Sequence, residues 1–291
     1  MTAAAASRIR VTHDPGRAIE IATAPGAAPL LRYVYSGAAK PYFHPLLGPA
    51  GVPLTIYEPY DHLWHRGLWF TIKLINGENF WEEHAPFGAQ ETEPYPEVMA
   101  RPDGTVAVTS ALSWRLPEGE VALREERMWV WRATEDGFSI DWQSALTPTR
   151  DTLLDRTPYT TWGGYGGLVF RGTRGLHQTR FLTPDGEFER MRGERAPWCD
   201  LSGRLDGGPD LSAGICFLDH PANPRHPTPF YGHPAPGSLL NAAFLFHEPL
   251  QLVGGETLTL RYRVHIHSEY WTADRAQAEH TRYQASPDPA R

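Results

Sequence analysis

The hydrophobic pattern is clearest just after residues 61–67. From Leu68 onward, apolar and polar positions alternate for seven residues. This period of two predicts a strand with one buried face. The two faces are predicted to be Leu68, Phe70, Ile72 and Leu74 on the core side, and Trp69, Thr71 and Lys73 on the other. The second face carries an indole, a hydroxyl and an ammonium group, which favours the floor of a site for a polyhydroxylated ligand such as a sugar.

The same alternation recurs at 121–131, 138–146 and 258–267. The pairs Asn76-Gly77, Asp103-Gly104, Asp136-Gly137 and Asp185-Gly186 predict hairpin turns, because their backbones tolerate positive φ. Neighbouring strands should therefore be antiparallel. We predict an all-β fold, a large antiparallel β-sandwich with few short helices, forming a single domain over 1–291. A short C-terminal helix is expected at 272–283.

Composition excludes some classes of partner. The formal net charge is −7, and the chain has no sustained basic run of the kind a nucleic-acid binder needs. No stretch has the roughly 18 to 20 apolar residues that span a bilayer, and residues 1–10 lack the apolar segment of a signal peptide. We therefore expect a cytoplasmic protein with neither nucleic acid nor membrane as partner. The sequence leaves the oligomeric state open.

Histidines and a stiff loop supply candidate chemistry. His44, His62 and His65 lie within about twenty residues of one another, and imidazoles titrate near neutral pH. Residues 219–229 contain His220, Asn223, Arg225, His226 and four prolines, which fix the backbone of a loop that presents polar groups. Structural roles in turn capping or a crossover remain alternatives for both groups.

Other segments add cations, acids and glycines. The run 162–167 is rich in glycine but lacks the features of a phosphate-binding loop, and it leads into a strand that ends at Arg171. Arg127 shares a strand face with Trp129 and Trp131, where cross-strand ion pairing is the competing interpretation. Residues 78–83 supply carboxylates whose separation would have to suit glycoside chemistry.

Several blocks together resemble a known family. They are 40–45, 61–69, 76–81, 163–167, 219–229 and 244–249. In order and spacing they resemble the bacterial PmoA-like family, whose database label is "methane oxygenase". The resemblance implies a β-sandwich similar to the galactose-mutarotase-like supersandwich, and an association with bacterial carbohydrate catabolism. The Asn-Arg pair and catalytic glutamate of mutarotases have no assured counterpart here, so epimerase activity does not carry over by residue.

The leading hypothesis is an enzyme that acts on a sugar or sugar-derived metabolite as an epimerase, lyase or hydrolase. The predicted acid/base candidates are His44, His65 and His220. The predicted substrate-binding residues are Trp64, Trp69, Lys73, Arg127, Arg171, Asn223, Arg225 and His226. We expect His44, His65, Lys73 and the 219–229 loop to converge on one pocket.

Two other functions compete with this one. The same aromatic and arginine face suits a non-catalytic carbohydrate-binding or sensing module. A metal-dependent oxygenase would use His62, His65 and Asp61 as ligands to a divalent metal. No cofactor is predicted, because no acid at a diagnostic spacing completes that set.

Overall fold

The computed structural model describes residues 9–23, 26–93, 95–157 and 164–286. Described strands in the first half of the chain are β1 (Arg10–Asp14), β2 (Ala18–Ala22), β3 (Leu31–Val34), β4 (Tyr42–Leu46), β5 (Leu68–Ile72), β6 (Leu74–Ile75), β7 (Glu78–Asn79), β8 (Ala89–Thr92), β9 (Glu97–Ala100), β10 (Val106–Arg115), β11 (Val121–Ala133) and β12 (Gly137–Pro148). Described elements in the second half are β13 (Thr152–Asp155), β14 (Gly166–Arg171), β15 (Leu176–Thr183), β16 (Gly186–Phe188), β17 (Met191–Arg195), β18 (Trp198–Leu205), β19 (Ser212–Asp219), β20 (Pro229–His233), β21 (Leu239–Ala242), β22 (Leu250–Leu252), β23 (Leu258–Ser268) and the helix α1 (Ala273–Gln284).

The strands form two large sheets and one small one. The first sheet has nine strands in the order β1-β2-β3-β4-β5-β14-β21-β20-β17. The second has ten, with β16-β15-β18-β19-β23-β12-β11-β10-β8 in line and β9 paired to β10. The small sheet is β22-β13-β6-β7. Described neighbours pair antiparallel, as in β5 with β14 and β12 with β23. The predicted all-β antiparallel sandwich is confirmed.

The main core lies between the two large sheets. Leu68, Phe70 and Ile72 of β5 are fully buried there, as the alternation predicts. The ring of Phe70 lies 6.1 Å from that of Trp142, which β12 contributes from the second sheet. Burial of such large aromatic surfaces is the main favourable term that holds the sheets together.

The other face of β5 is covered as well. Trp69 is 1 % exposed and belongs to a separate apolar cluster with Trp81, Val169 and Tyr231. The predicted separation of the two faces is confirmed within β5. It ends at Ile72, because the chain bends at Lys73, and Leu74 is only partly buried at the start of β6. The prediction that Leu74 is buried with the other three was wrong for that reason.

The predicted turns fall between paired strands. Asn76 and Gly77 connect β6 to β7 with φ of 51° and 86°, the left-handed conformation that these residue types accept most readily. Asp103-Gly104, Asp136-Gly137 and Asp185-Gly186 likewise stand between antiparallel neighbours. These hairpin predictions are confirmed.

The C-terminal helix packs on the outer face of the second sheet. Thr272 caps it by accepting a hydrogen bond from the backbone N–H of Arg275 at 3.3 Å. Under the helix, Arg263 donates to Asp141 at 2.5 Å and to Glu279 of α1 at 3.1 Å. Acids from β12 and α1 thus neutralise the cation-rich face of β23. Within the described ranges, no helix has the length and apolar character needed to cross a membrane.

Candidate functional site

A cavity of about 280 Å³ opens on the outer face of the first sheet. Its walls come from the loop before β5, the segment after β7, the start and end of β14, β20, and the β20–β21 connection. The lining residues are Asp61, His62, Trp64, His65, Trp81, Glu82, Tyr165, Arg171, Tyr231, His233, Pro236, Gly237 and Leu239. The size is at the lower end for small-molecule pockets.

Backbone hydrogen bonds hold the loop that carries the histidines. The N–H of His62 donates to Pro59 O at 2.8 Å, and that of His65 donates to His62 O at 2.9 Å. The loop then runs close against β4 at Gly67, which has a φ of 76°. A Cβ there would lie 2.3 Å from Phe43 O, so only glycine fits. This contact fixes where His65 stands relative to β5.

His65 is the most deeply buried histidine of the cavity wall, at 3 % exposure. Its ring lies between those of His62 and Trp69, with centroid distances of 4.6 and 5.1 Å. Neither ring nitrogen makes a hydrogen bond to any residue in the described ranges, and Nδ1 is a buried atom without a partner. Burial, reinforced by the charge of Arg171, holds the pKa of His65 well below its usual value. The ring is therefore neutral at neutral pH.

Arg171 ends β14 and reaches the cavity because Leu168 and Phe170 of that strand face the core. It is 8 % exposed, yet its guanidinium makes no hydrogen bond to the described part of the chain. Its charged partner is Asp61, whose Oδ2 lies 3.5 Å from Nη2. Asp61 also accepts a hydrogen bond from Arg174 at 3.0 Å. Burial lowers the pKa of Arg171, which marks a cation that is incompletely compensated.

Aromatic rings make up much of the remaining wall. Trp81 and Tyr165 stack at 4.8 Å with an interplanar angle of 19°. Tyr231 meets Tyr165 edge-on at 5.4 Å. Such flat apolar faces with polar edges suit the C–H faces of a sugar ring.

A buried ion network fixes Trp81 from behind. Lys40 donates to Trp81 O at 2.9 Å and to Glu83 Oε1 at 2.8 Å. Glu83 is also paired with Arg66, which donates to Tyr57 and Glu58. Burial lowers the pKa of Lys40 to about 8, although Glu83 opposes the shift. These groups position the wall of the cavity and do not line it.

The cavity brings together some of the predicted residues. Trp64, His65 and Arg171 line it, together with the conditional metal ligands Asp61 and His62. The predicted contact of Trp69 with substrate was wrong, because Trp69 is 1 % exposed and lies outside the lining, with its ring 5.1 Å from that of His65. Lys73 pairs with Glu82, a wall residue, and is itself outside the lining. Trp162 and Gly163 of the glycine-rich run lie outside the described residues.

His44 does not reach this cavity. Its Nδ1 shares a hydrogen bond with Thr55 at 2.9 Å, and its ring stacks on Tyr57 at 5.5 Å. It lines a separate groove beside β3 and β4. The predicted convergence of His44 and His65 on one pocket was wrong, because Thr55 and Tyr57 of the β4–β5 connection hold the ring of His44 in that other groove.

Arg127 is a core residue, which corrects its predicted contact with substrate. It is 0 % exposed and donates from Nε and Nη2 to Glu125 at 2.8 Å each, and from Nη2 to Gln90 at 2.9 Å. Its guanidinium lies 4.9 Å from the ring of Trp142. The face of β11 that carries Arg127 points towards the first sheet, so the charge is compensated inside the sandwich.

The 219–229 loop is held by contacts of its own. Asp219 accepts hydrogen bonds from Asn223 and Thr228, and His226 Nδ1 lies 2.7 Å from it. Arg225 donates to three backbone carbonyls, those of Phe244, Glu248 and Pro249.

His220 of the same loop lies near the C-terminal helix, with its ring 5.5 Å from that of Tyr283. The loop enters β20 at Pro229, whereas the cavity is lined farther along that strand, at Tyr231 and His233. Convergence of this loop with His65 was therefore also predicted wrongly, and its polar groups serve packing.

His62, His65 and Asp61 are not arranged as a metal centre. The two imidazoles stack face to face, and Asp61 is engaged by Arg171 and Arg174. Over the ranges that the structure describes, no group of three or more His, Cys, Asp or Glu residues has the arrangement of a metal site. Whether the protein acts without metal stays a prediction.

Sequence reasoning missed several wall residues. Trp81 lies in the segment 78–83, whose carboxylates, Glu82 among them, were the only candidates that the pattern indicated there. Tyr165 lies in the glycine-rich run directly before β14, and an aromatic residue at the start of a strand was the signal that could have indicated a wall residue. Tyr231 and His233 share one face of β20, but the prolines around that strand conceal its alternation.

Comparison with known proteins assigns the chain to a family but does not indicate its activity. No curated protein matches it. Residues 21–281 match a family described as a family of unknown function, DUF6807, and because this match covers most of the chain, the protein belongs to that family.

Proposed function

We propose that the protein is an enzyme acting on a sugar or sugar-derived metabolite bound in this cavity, with His65 as the acid/base group. The observation that carries the proposal is the state of His65. It is an almost fully buried imidazole in a cavity wall, and neither of its ring nitrogens has a hydrogen-bond partner in the described chain. Buried polar groups are normally satisfied, so an unsatisfied one facing a cavity indicates a missing ligand.

The walls support a carbohydrate ligand. Tyr165 and Tyr231 offer apolar ring surface, with Trp81 buried and stacked against Tyr165, while Arg171 and Glu82 offer polar groups to hydroxyls. The resemblance of the motif blocks to the PmoA-like family supports the same substrate class and a place in carbohydrate catabolism.

The lowered pKa of His65 favours a reaction in which the imidazole first acts as a base. A neutral imidazole accepts a proton from a hydroxyl group, from water, or from a carbon next to a carbonyl group. Epimerisation and β-elimination begin with such a step at carbon, and hydrolysis uses it where the base activates the attacking water. Glu82 is a further ionisable residue of the wall, although its carboxylate is paired with Lys73.

A binding screen followed by substitution tests the proposal. Purified protein is screened by thermal shift against aldoses, ketoses and uronates, with and without divalent metals, since a ligand of the native state raises the apparent stability. Turnover of each ligand that binds is then followed by NMR. His65→Gln keeps a hydrogen-bonding group but removes the titratable imidazole, so turnover should fall by a factor of about 100 or more while binding persists.

His44→Gln and His220→Gln are matched controls, because both histidines lie away from the cavity. Their turnover should stay close to that of the unsubstituted protein. Equal losses in all three variants would contradict the role given to His65, and a panel without a single ligand would contradict the proposal as a whole.

A non-catalytic carbohydrate-binding module is the second candidate. It is favoured by the ion pairs of the two carboxylates that line the cavity in the described chain. Glu82 is paired with Lys73, and Asp61 is paired with Arg171, so neither is free to act beside His65. Tight binding without turnover, unaffected by His65→Gln, would identify this function instead.

A further inference from the structure

We infer that the ligand of this cavity carries a carboxylate, as a uronic or aldonic acid does, and that Arg171 binds that carboxylate. The inference rests on the proposed function and narrows its substrate class. It concerns the charge of the ligand, which neither the family nor the sugar hypothesis specifies.

The first argument is the unsatisfied state of Arg171. A guanidinium has five N–H donors in a fixed planar fork. None of them makes a hydrogen bond within the described ranges, although the side chain is only 10 % exposed. Desolvating a cation without hydrogen bonds is costly, so the arrangement indicates a partner that is absent from the protein itself. Gly237 packs directly against Nη2, because a Cβ there would lie only 2.9 Å from it, so glycine at this position lets the guanidinium stand where it does.

The second argument is the kind of partner that the wall requires. Besides Arg171, the indole Nε1 of Trp64 is a buried donor without an acceptor. Arginine and tryptophan side chains donate and do not accept hydrogen bonds. A ligand rich in acceptor oxygens complements this wall better than one whose hydroxyl groups must also find acceptors. Carboxylate oxygens accept in the planar, two-pronged geometry that matches the arginine fork.

The third argument separates a carboxylate from a phosphate. Asp61 Oδ2 lies 3.5 Å from Arg171 Nη2, and Glu82 is neutralised by Lys73. The wall therefore holds one incompletely compensated cation with an acid beside it. A single negative charge is balanced by Arg171, whereas a phosphate dianion would be repelled by Asp61 without a second cation to hold it.

The electrostatics of His65 agree with this placement. After burial, the charge of Arg171 is the next cause that lowers the pKa of His65. The field of Arg171 thus reaches the proposed acid/base group, and an anion bound to Arg171 would lie close to the site of proton transfer.

The test compares ligands of the same shape and different charge. Isothermal titration calorimetry on the full chain uses D-galacturonate and D-glucuronate, their methyl esters, D-galactose, D-glucose and D-glucose 6-phosphate. We expect an acid to bind at least about tenfold more tightly than its own methyl ester, the effect of one charge-assisted pair. This arm needs no variant, so it stands even if substitution of Arg171 prevents folding.

Two matched variants then locate the effect. Arg171→Lys keeps the charge but removes the fork, and it should reduce the acid-to-ester ratio to about threefold or less. Arg174 is the other partner of Asp61, but it is 44 % exposed and lies outside the cavity wall. The control variant Arg174→Lys should therefore keep the full acid-to-ester ratio.

The outcomes separate this inference from the proposed function. Equal binding of acids, esters and neutral sugars would refute the carboxylate and leave the sugar site standing. Tighter binding of the 6-phosphate, or an unchanged ratio in Arg171→Lys, would also refute the inference. If none of these compounds bound, both the inference and the proposed function would fail.

Discussion

Arg171 and Asp61 form an ion pair of 3.5 Å at the edge of the cavity, and Asp61 is shared with Arg174. Asp61 thus competes with an anionic ligand for Arg171. We predict that Asp61→Asn tightens binding of D-galacturonate by about two- to fivefold, the size of a partly exposed ion pair. Binding of the methyl ester should not change. Calorimetry measures both, with Asp206→Asn, an exposed acid elsewhere, as the control. Weaker binding of galacturonate would show that Asp61 itself holds the ligand.

We further predict that D-galacturonate raises the pKa of His65. Burial and the charge of Arg171 hold this pKa well below its usual value, and a negative charge placed on Arg171 offsets the second cause. Histidine ring C–H signals followed by NMR over pH 4 to 8 measure the shift. The methyl ester should leave the titration unchanged. A pKa that falls on binding of the acid would mean that burial by the ligand outweighs its charge.

Enzymatic turnover should be lost at acidic pH, where the ring of His65 becomes protonated. If His65 acts as the base, the neutral ring is the active form, so kcat/KM is level near neutral pH and falls as the pH decreases through the lowered pKa. Rates measured from pH 4 to 8 test this. An acidic limb centred above 6.5 would assign the base to another group.

Removal of Arg127 should damage the fold rather than the site. Arg127→Met leaves Glu125 as an uncompensated buried charge, so we expect a loss of about 3 to 5 kcal/mol in the free energy of unfolding. Glu125→Gln added to Arg127→Met removes that charge and should recover part of the loss. Arg124→Met, exposed on the same strand, should change stability by less than about 0.5 kcal/mol. Urea unfolding measures all three variants.

The docking of α1 should weaken in alkaline solution. His265 Nε2 lies 3.1 Å from Asp136, and Nδ1 lies 3.5 Å from Glu279 of α1. Burial alone would lower the pKa of His265, but these two acids outweigh burial and raise it. The stabilisation is therefore complete below 6.5 and is lost as pH rises through the raised value.

The carboxylate of Glu279 sets the lower limit of the pH range in which α1 is held by charge. Burial opposes ionisation of Glu279, yet His265, Arg282 and Arg263 lower its pKa to about 2, so its contribution is lost only as pH falls towards that value. Comparing the melting temperatures of the unsubstituted protein and His265→Gln from pH 5 to 9 isolates the histidine. Their difference should shrink as pH rises, whereas His13→Gln should show no such trend. A constant difference would contradict the charged state of His265.

The sequence by itself determined the longest alternating strands, their two faces and several of the turns. Alternation at Leu68–Ile72 and over β11, β12 and β23 is a local property with a period of two. Asn76-Gly77 is equally local, because its turn requires positive φ at both residues. The helix α1 was also readable, because its composition and the cap at Thr272 belong to consecutive residues.

Only the tertiary structure decided which polar residues share a site. Arg127 and Arg171 both stand on strands with one apolar face, but Arg127 points between the sheets to Glu125 and Arg171 points outward into the cavity. Alternation separates two faces and does not say which one meets the opposite sheet when both carry aromatic residues. His44, His65 and His220 were likewise equivalent by residue type. Their separation follows from how loops cross the ends of distant strands, which depends on long-range pairing such as β5 with β14, and no local pattern encodes it.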